Sequence, residues 1–208
     1  MNDVTGFTHL PPTTLADVLG REQVMNIGLR PLWPSIPRVA GPAFTVRCPP
    51  GDNLMLHAAI YRAAPGSVIV VETGGDVDYA VAGGNVCAVA QRRGIAAFVV
   101  DGVIRDLAEV REMGFPVFAR GVIPIPGTKA AVEPLNGRVR CGGVNVSAGD
   151  IVVADEEGIV VVPGARQEQV LLEARTRLAK EADESLDAWE KAHHARIDEI
   201  LAENGFED

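Results

Sequence analysis

The 208-residue chain carries 28 acidic against 19 basic side chains, a formal charge of −9. That balance argues against a nucleic-acid partner, because neutralising phosphates takes clustered Lys and Arg. At 47% apolar residues the chain can bury a core and is not globally disordered; with only 5% aromatics, that core has to be Val, Ile, Leu and Ala.

The length suits one good-sized α/β catalytic domain, taken here as residues 1–164, followed by a helical extension over 165–208. The first forty residues are irregular and proline-rich. Within them "PPTTLADVLG" predicts a short helix, with Thr13 or Thr14 as N-cap and Gly20 as its stop. "GPAFTVRC" (41–48) reads as a strand. "GDNLMLHAAIYRAAPG" (51–66) reads as a helix capped by Asp52 or Asn53 and ended at Pro65-Gly66.

"SVIVVE" (67–72) is a β-branched run of the kind found in strands buried on both faces. A glycine-rich loop, "TGGDVDYAVAGGN", leads to the helix "VCAVAQRRG", with Gly94 at its C-terminal turn. "AAFVV" (96–100) is the next strand, and the charged loop Asp101–Asp106 follows it. The helix "LAEVREMG" and the strand "FPVFA" come next. Alternating strand and helix is the pattern of parallel pairing with crossover helices.

Beyond residue 120 short strands alternate with Gly, Asn and Asp turns. Ile151–Ala154 and Ile159–Val162 form a hairpin around the four-residue turn Asp155–Gly158. Residues 165–203 are helical in pattern, with Val170, Leu171, Ala174 and Leu178 in one stripe. The whole is an α/β fold with mixed sheets.

In parallel sheets ligands bind beyond the carboxyl ends of strands, where helices start. Two such junctions occur, Thr73–Asn85 and Asp101–Asp106, and they face each other if their strands are neighbours. Gly83-Gly84-Asn85 either shapes a tight turn or offers free backbone amides to an anion. Arg105 can hold a carboxylate in its planar fork. Asp101 and Asp106 offer oxygens suited to Mg²⁺ or Mn²⁺, although Asp106 is equally placed as a helix cap.

The remaining candidates read as structural. His9, His57, His193 and His194 lack metal-ligand spacing, with His57 expected as a packed or capping residue. Cys87 sits on an apolar helix face as a core thiol. Cys48, Cys87 and Cys141 form no CxxC pair. No basic stretch followed by an apolar run opens the sequence, and no run is long enough to span a bilayer. A cytoplasmic protein without a membrane partner is therefore expected. Lys129 is expected to be an exposed loop lysine; with Arg47 and Arg120 it is also a candidate for binding a distal anion.

The run "GGNVCAVAQRRGIAAFVVDGVIRD" followed by "GVIPIPGTKAAVEPLNGRVRCGGVNVSAGDIVVADEEGIVVVP" resembles class II pyruvate aldolases acting on 4-hydroxy-4-methyl-2-oxoglutarate and 4-carboxy-4-hydroxy-2-oxoadipate. These enzymes share their fold with the regulators of ribonuclease E activity. The resemblance covers residues 38–182. It implies a layered β/β/α domain of the swivelling type, assembled as a homotrimer or homohexamer. It also implies a divalent metal, a small 2-oxo acid substrate from aromatic compound degradation, and oxaloacetate decarboxylase side activity.

By the same resemblance Asp106 is the metal ligand and Arg105 binds the pyruvate moiety. Backbone amides at Gly84, Asn85 and Val86 grip the substrate carboxylate. Glu181, from a neighbouring subunit, reaches the metal through water. Asn85 departs from the acidic residue common near this step. The regulators lack an aspartate after the loop arginine, so Asp106 favours the enzyme over the alternative, a non-catalytic binding protein. A physiological oxaloacetate decarboxylase would use the same site.

Overall fold

The computed structural model describes residues 4–206. Among these the strands are β1 (Arg30–Pro31), β2 (Val39–Arg47), β3 (Val68–Glu72), β4 (Ala97–Ile104), β5 (Val117–Val122), β6 (Val139–Cys141), β7 (Val144–Val146), β8 (Ile151–Asp155) and β9 (Gly158–Val162). The α-helices are α1 (Pro12–Leu19), α2 (Leu54–Ala59), α3 (Gly84–Arg92), α4 (Leu107–Glu112), α5 (Gln167–Asp183) and α6 (Leu186–Glu203).

The main sheet runs β1-β5-β4-β3-β2-β8-β9, and β6-β7 form a separate hairpin. β2 to β5 pair in parallel, while β1, β8 and β9 join antiparallel. This is the mixed α/β architecture expected from the alternation of elements. The edges curl toward each other: the Met25 amide, just before β1, donates to the Ile159 carbonyl of β9 at 2.9 Å. Val68 to Val71 are wholly buried; in a strand covered on both faces each such side chain stabilises the fold by roughly 1.5–3 kcal/mol.

Alternation along β8 and β9 serves two cores at once. Val152, Ala154, Ile159 and Val161 face the main core, which contains α2, α3 and the β6–β7 hairpin. Ile151, Val153, Val160 and Val162 face a second core closed by α1 and α5. Successive side chains of a strand point to opposite faces, so a hairpin that is apolar throughout can seal two layers. From the C-terminal stripe, Val170 and Ala174 are buried in the second core and Leu171 and Leu178 pack against it.

Several local expectations shift. α1 starts at Pro12 with no side-chain cap; Thr14 is buried inside it rather than capping it. Proline suits the first helical position because its missing N–H would be unpaired there anyway. α2 is only one and a half turns long and ends at Ala59. The β8–β9 turn is Glu156-Glu157 alone, because Asp155 pairs with Gly158. The C-terminal helical stretch breaks before Ser185, whose hydroxyl accepts the Ala188 amide at 3.2 Å and starts α6. α6 buries none of its described side chains.

The largest correction concerns Asp101. β4 does not end at Val100 but runs through a bulge to Ile104, so Asp101 lies inside the strand. It is buried and pairs with Arg120 at 2.5 Å, and its second oxygen accepts the Gly142 amide at 3.0 Å. Asp101 therefore fastens the β6–β7 hairpin to the sheet and is not part of the charged loop. Asp101→Ala is expected to destabilise the protein by about 3 kcal/mol in urea unfolding, because it strands a partly buried guanidinium and a buried amide.

Candidate functional site

β3 and β4 are adjacent and parallel, so the segments leaving their carboxyl ends meet. The Val81 amide donates to the Val103 carbonyl at 3.0 Å and the Arg105 amide to the Ala82 carbonyl at 2.9 Å. These bonds carry the start of α3 alongside Arg105-Asp106. Asp106 has φ 60° and ψ 39°, a left-handed conformation that asparagine and aspartate tolerate better than most residues, at a cost of order 1 kcal/mol.

The left-handed turn sends the Asp106 side chain away from its own helix. It does not cap α4; its Oδ2 accepts the Gly84 amide at 3.0 Å, the first amide of α3. The Arg105 Nε lies 3.5 Å from the same oxygen. Gly83 is in an extended conformation that any residue could adopt. Its hydrogen is needed because a Cβ there would collide with the Asp106 carboxylate and approach the Arg105 side chain. Close approach to Asp106, rather than a tight turn, therefore explains Gly83.

The first intrahelical bond of α3 runs from the Cys87 amide to the Gly83 carbonyl. The amides of Asn85 and Val86 therefore have no helical carbonyl to bond and carry the positive end of the helix dipole. Both residues line a small cleft of about 80 Å³ with Arg105 and Asp106. Pockets for drug-sized ligands run to roughly 300–1,000 Å³, so this one suits a small acid.

The opposite wall was not anticipated. It consists of Asn53 and His57 from α2 and its start, and Pro126 and Lys129 from the segment after β5. That segment crosses the cleft as a strap: the Ala80 amide donates to the Ile125 carbonyl at 2.8 Å and the Gly127 amide returns to Ala80 at 3.0 Å. Asp52 pins its far end, accepting from Thr128 Oγ1 (3.3 Å) and the amides of Ala130 (2.6 Å) and Ala131 (3.2 Å), as well as from Leu54 (2.9 Å). Burial opposes ionisation of Asp52, but these amides outweigh it and hold its carboxyl below the ordinary value. The sequence signals for this wall were the Asp52-Asn53 pair at a helix start and Lys129 as one of three distal-anion candidates.

Lys129, expected as an exposed loop lysine with distal-anion binding as the alternative, is exposed and lines the cleft. Arg47 and Arg120 do not line it: Arg47 pairs with Glu72 at 3.2 Å and Arg120 with Asp101. Cys87 is the core thiol expected, its pKa pushed up to about 12 by burial. Glu181 lies on α5 and pairs with Arg177 at 2.9 Å. A carboxylate not singled out from sequence, Glu109, lies against Gly84.

Asp106 Oδ2 is engaged by Gly84 and Arg105, and no hydrogen bond among the described residues takes Oδ1. The described residues hold no group of three or more His, Cys, Asp or Glu placed to bind a metal. One available carboxylate oxygen fits a hard cation such as Mg²⁺, which keeps several waters and needs few protein ligands.

A helix start with free amides, opposed by an arginine and a carboxylate, lies at the carboxyl edge of a parallel sheet, where α/β folds carry their ligand sites. Comparison with known proteins places the chain in a family. The RraA-like family pattern, described as Aldolase/RraA, matches residues 12–161. A Halalkalibacterium halodurans protein named provisionally as a 4-hydroxy-4-methyl-2-oxoglutarate aldolase is 38% identical over 176 residues, covering 85% of this chain and 83% of that one.

Among solved structures, the RNA-processing inhibitor RraA from Thermus thermophilis aligns with a TM-score of 0.67 at 27% identity, over 74% of this chain and 92% of that one. Streptomyces coelicolor RraAS2, an unusual member of the RNase ES inhibitor RraA protein family, aligns at 0.72 and 28%, over 93% and 96%. The chain belongs to the RraA-like family, which holds proteins named as aldolases and proteins named as inhibitors of RNA processing. No helix among the described residues is long and apolar enough to cross a membrane.

His57 gives a test of the cleft's electrostatics. Burial and the adjacent Lys129 charge lower its pKa below the ordinary 6.5, with the Val81 backbone and Asp52 pulling the other way. The unfolded chain thus takes up this proton more readily, and stability drops as pH falls through the folded pKa. A histidine resonance titrating below 6.5, absent from His57→Gln, is expected by NMR. The urea midpoint should fall more from about pH 7 to about pH 5 in the native chain than in that variant.

Proposed function

We propose that this chain is a divalent-metal-dependent pyruvate aldolase, a carbon–carbon lyase. It cleaves 4-hydroxy-4-methyl-2-oxoglutarate or 4-carboxy-4-hydroxy-2-oxoadipate to pyruvate and a second oxo acid, with oxaloacetate decarboxylation as a side activity. The observation that carries this reading is Asp106, turned by its left-handed backbone toward the α3 start, beside Arg105 and the free amides. The name of the Halalkalibacterium relative supports it.

The Asn85 and Val86 amides receive the substrate's carboxylate, where the helix dipole favours negative charge. Arg105 directs its guanidinium at the 2-keto oxygen, where charge grows as the C3–C4 bond breaks. Asp106 would hold Mg²⁺ or Mn²⁺, with Glu181 from a neighbouring copy in a trimer or hexamer as the second carboxylate. Bound there, the metal supplies a Lewis acid for the 2-oxo acid. The Gly84 amide and Arg105 keep the Asp106 carboxylate aimed. A cytoplasmic location belongs to the same reading. Assembly is supported by α6, which buries none of its described side chains within one chain.

The likeness to RNA-processing inhibitors supports a second reading, a non-catalytic binding protein on the same fold. The two separate cleanly. Purified protein is expected to release pyruvate from 4-hydroxy-4-methyl-2-oxoglutarate with Mg²⁺ and to stop with EDTA. Asp106→Asn should fall at least about a hundredfold with its unfolding midpoint retained, and Arg105→Lys similarly, because lysine lacks the planar fork. Folded, metal-supplied protein inert toward both this substrate and oxaloacetate would favour the binding-protein reading.

A further inference from the structure

α6 carries an apolar face that its own chain leaves uncovered. Leu186, Trp189, Ile197, Ile200 and Leu201 are exposed, and none of the helix's described side chains is buried. Leu186, Trp189, Ile197 and Ile200 recur at spacings of three and eleven residues, close to whole turns, so they share one side of the helix. His193 lies between them and stacks on the Trp189 ring, with ring centres 4.5 Å apart. The helix is also acidic, with five Asp and Glu against one Lys and one Arg. By helical spacing Glu190 and Glu203 flank the stripe on either side, while Arg196 is already paired with Glu199. Two copies of such a helix repel each other, so its partner has to be an apolar surface of positive charge.

The same chain displays such a surface where α2 and α3 end. Residues 53–71 and 84–100 contain no Asp or Glu, in a chain that has 28. Arg62, Arg92 and Arg93 are exposed there, and no ion pair among the described residues engages them. Tyr61, Ala63, Pro65 and Val89 line a shallow hollow of about 520 Å³ together with Arg92 and Arg93. Arg93 is fixed in place: it donates to the Ile60 and Tyr61 carbonyls at 2.7 and 3.3 Å and lies 5.3 Å from the centre of the Tyr61 ring. Helix ends favour arginine, which accounts for the charges. It does not account for Tyr61, which stays 58% exposed among them. Trp, Tyr and Arg are the side chains that carry most of the energy in protein contacts, and the two surfaces hold all three.

We propose that α6 of one copy docks on the surface formed by the ends of α2 and α3 in a second copy. Trp189 enters the hollow beside Tyr61, and Glu190 and Glu203 meet the arginines around it. This is an amphipathic helix laid into a groove, with apolar anchors for affinity and flanking charges for register. The helix and its receiving surface are different patches, so the contact runs head to tail: each copy gives one helix and receives one. The chain is jointed for this. α5 is held on the second core, and the extended backbone at Glu184 releases α6 from it. Neither surface lines the cleft that holds Arg105 and Asp106, so the docking does not depend on the aldolase reading.

The test follows Trp189 and the mass of the full chain. Trp33, the other tryptophan, is already buried, so a change in acrylamide quenching reports on Trp189. The native chain is expected to be an oligomer by light scattering, with Trp189 shielded. Arg62→Glu with Arg92→Glu should weaken docking by about tenfold or more, the scale of lost charge-assisted contacts, and expose Trp189 with the urea midpoint retained. Arg93 is left in place because its carbonyl bonds shape the surface. Glu190→Lys with Glu203→Lys should do the same from the other side. All four substitutions in one chain should restore the shielding, because both surfaces are then reversed. A monomeric native chain, or a native Trp189 as open to acrylamide as in the double variants, would overturn the proposal. A four-substitution chain that stays exposed would do so as well. Shielding lost on helix reversal but untouched by surface reversal would also overturn it, by assigning α6 a different cover.

Discussion

The hydrogen bond from the Gly84 amide to Asp106 Oδ2 joins two helix starts that have no covalent reason to meet. It depends on β3 and β4 being parallel neighbours, on the left-handed turn at Asp106, and on the missing side chain at Gly83. With those in place, one carboxylate occupies the first orphan amide of α3 and leaves the next two to a ligand. The same bond fixes the direction in which the carboxylate points. Backbone strain at one residue is thereby converted into a directed functional group.

The site is a small positive island on a chain of formal charge −9. Arg105, Lys129 and the α3 dipole supply the positive character, and the cleft between them is narrow. Interactions of this kind gain from partial exclusion of water, which weakens charges on open surfaces. Rigidity comes from the periphery: Asp52 pins the strap, and Asp101 with Arg120 locks the β6–β7 hairpin. Both aspartates are buried and fully engaged, so their charge is spent on architecture while that of Asp106 remains available at the cleft.

The family sets aldolase names and RNA-processing-inhibitor names on one fold. Nothing in the mixed sheet or its two cores requires either activity, because a layered α/β domain only offers strand ends on which sites can be built. The difference has to lie in a few side chains at those ends, and in this chain they include an aspartate directly after the loop arginine. α6 leaves Leu186, Trp189 and Ile197 exposed, an apolar surface unlike the polar cleft.

Much of the fold was legible in the chain itself because its determinants are local. The β-branched run Val68–Val71 could only be a fully covered strand, the two apolar runs around Asp155–Gly158 a hairpin, and the Val170–Leu178 stripe a docked helix. Arg105, Asp106 and the amides after Gly83 were also readable, since helix starts after parallel strands announce where ligands bind. Asp101 was misread because a bulge within β4 cannot be seen in composition, and the bulge moves its carboxylate from loop to core. Asn53, His57 and Lys129 were not read as one wall for a related reason. They lie far apart along the chain, and only the strap's hydrogen bonds to Ala80 and Asp52 bring them to one wall. Sequence alone determined the elements and the chemistry of one half of the cleft, because short-range patterning encodes both. Tertiary structure decided the other half, because long-range backbone pairing, which leaves no periodic trace, chooses which loops face each other.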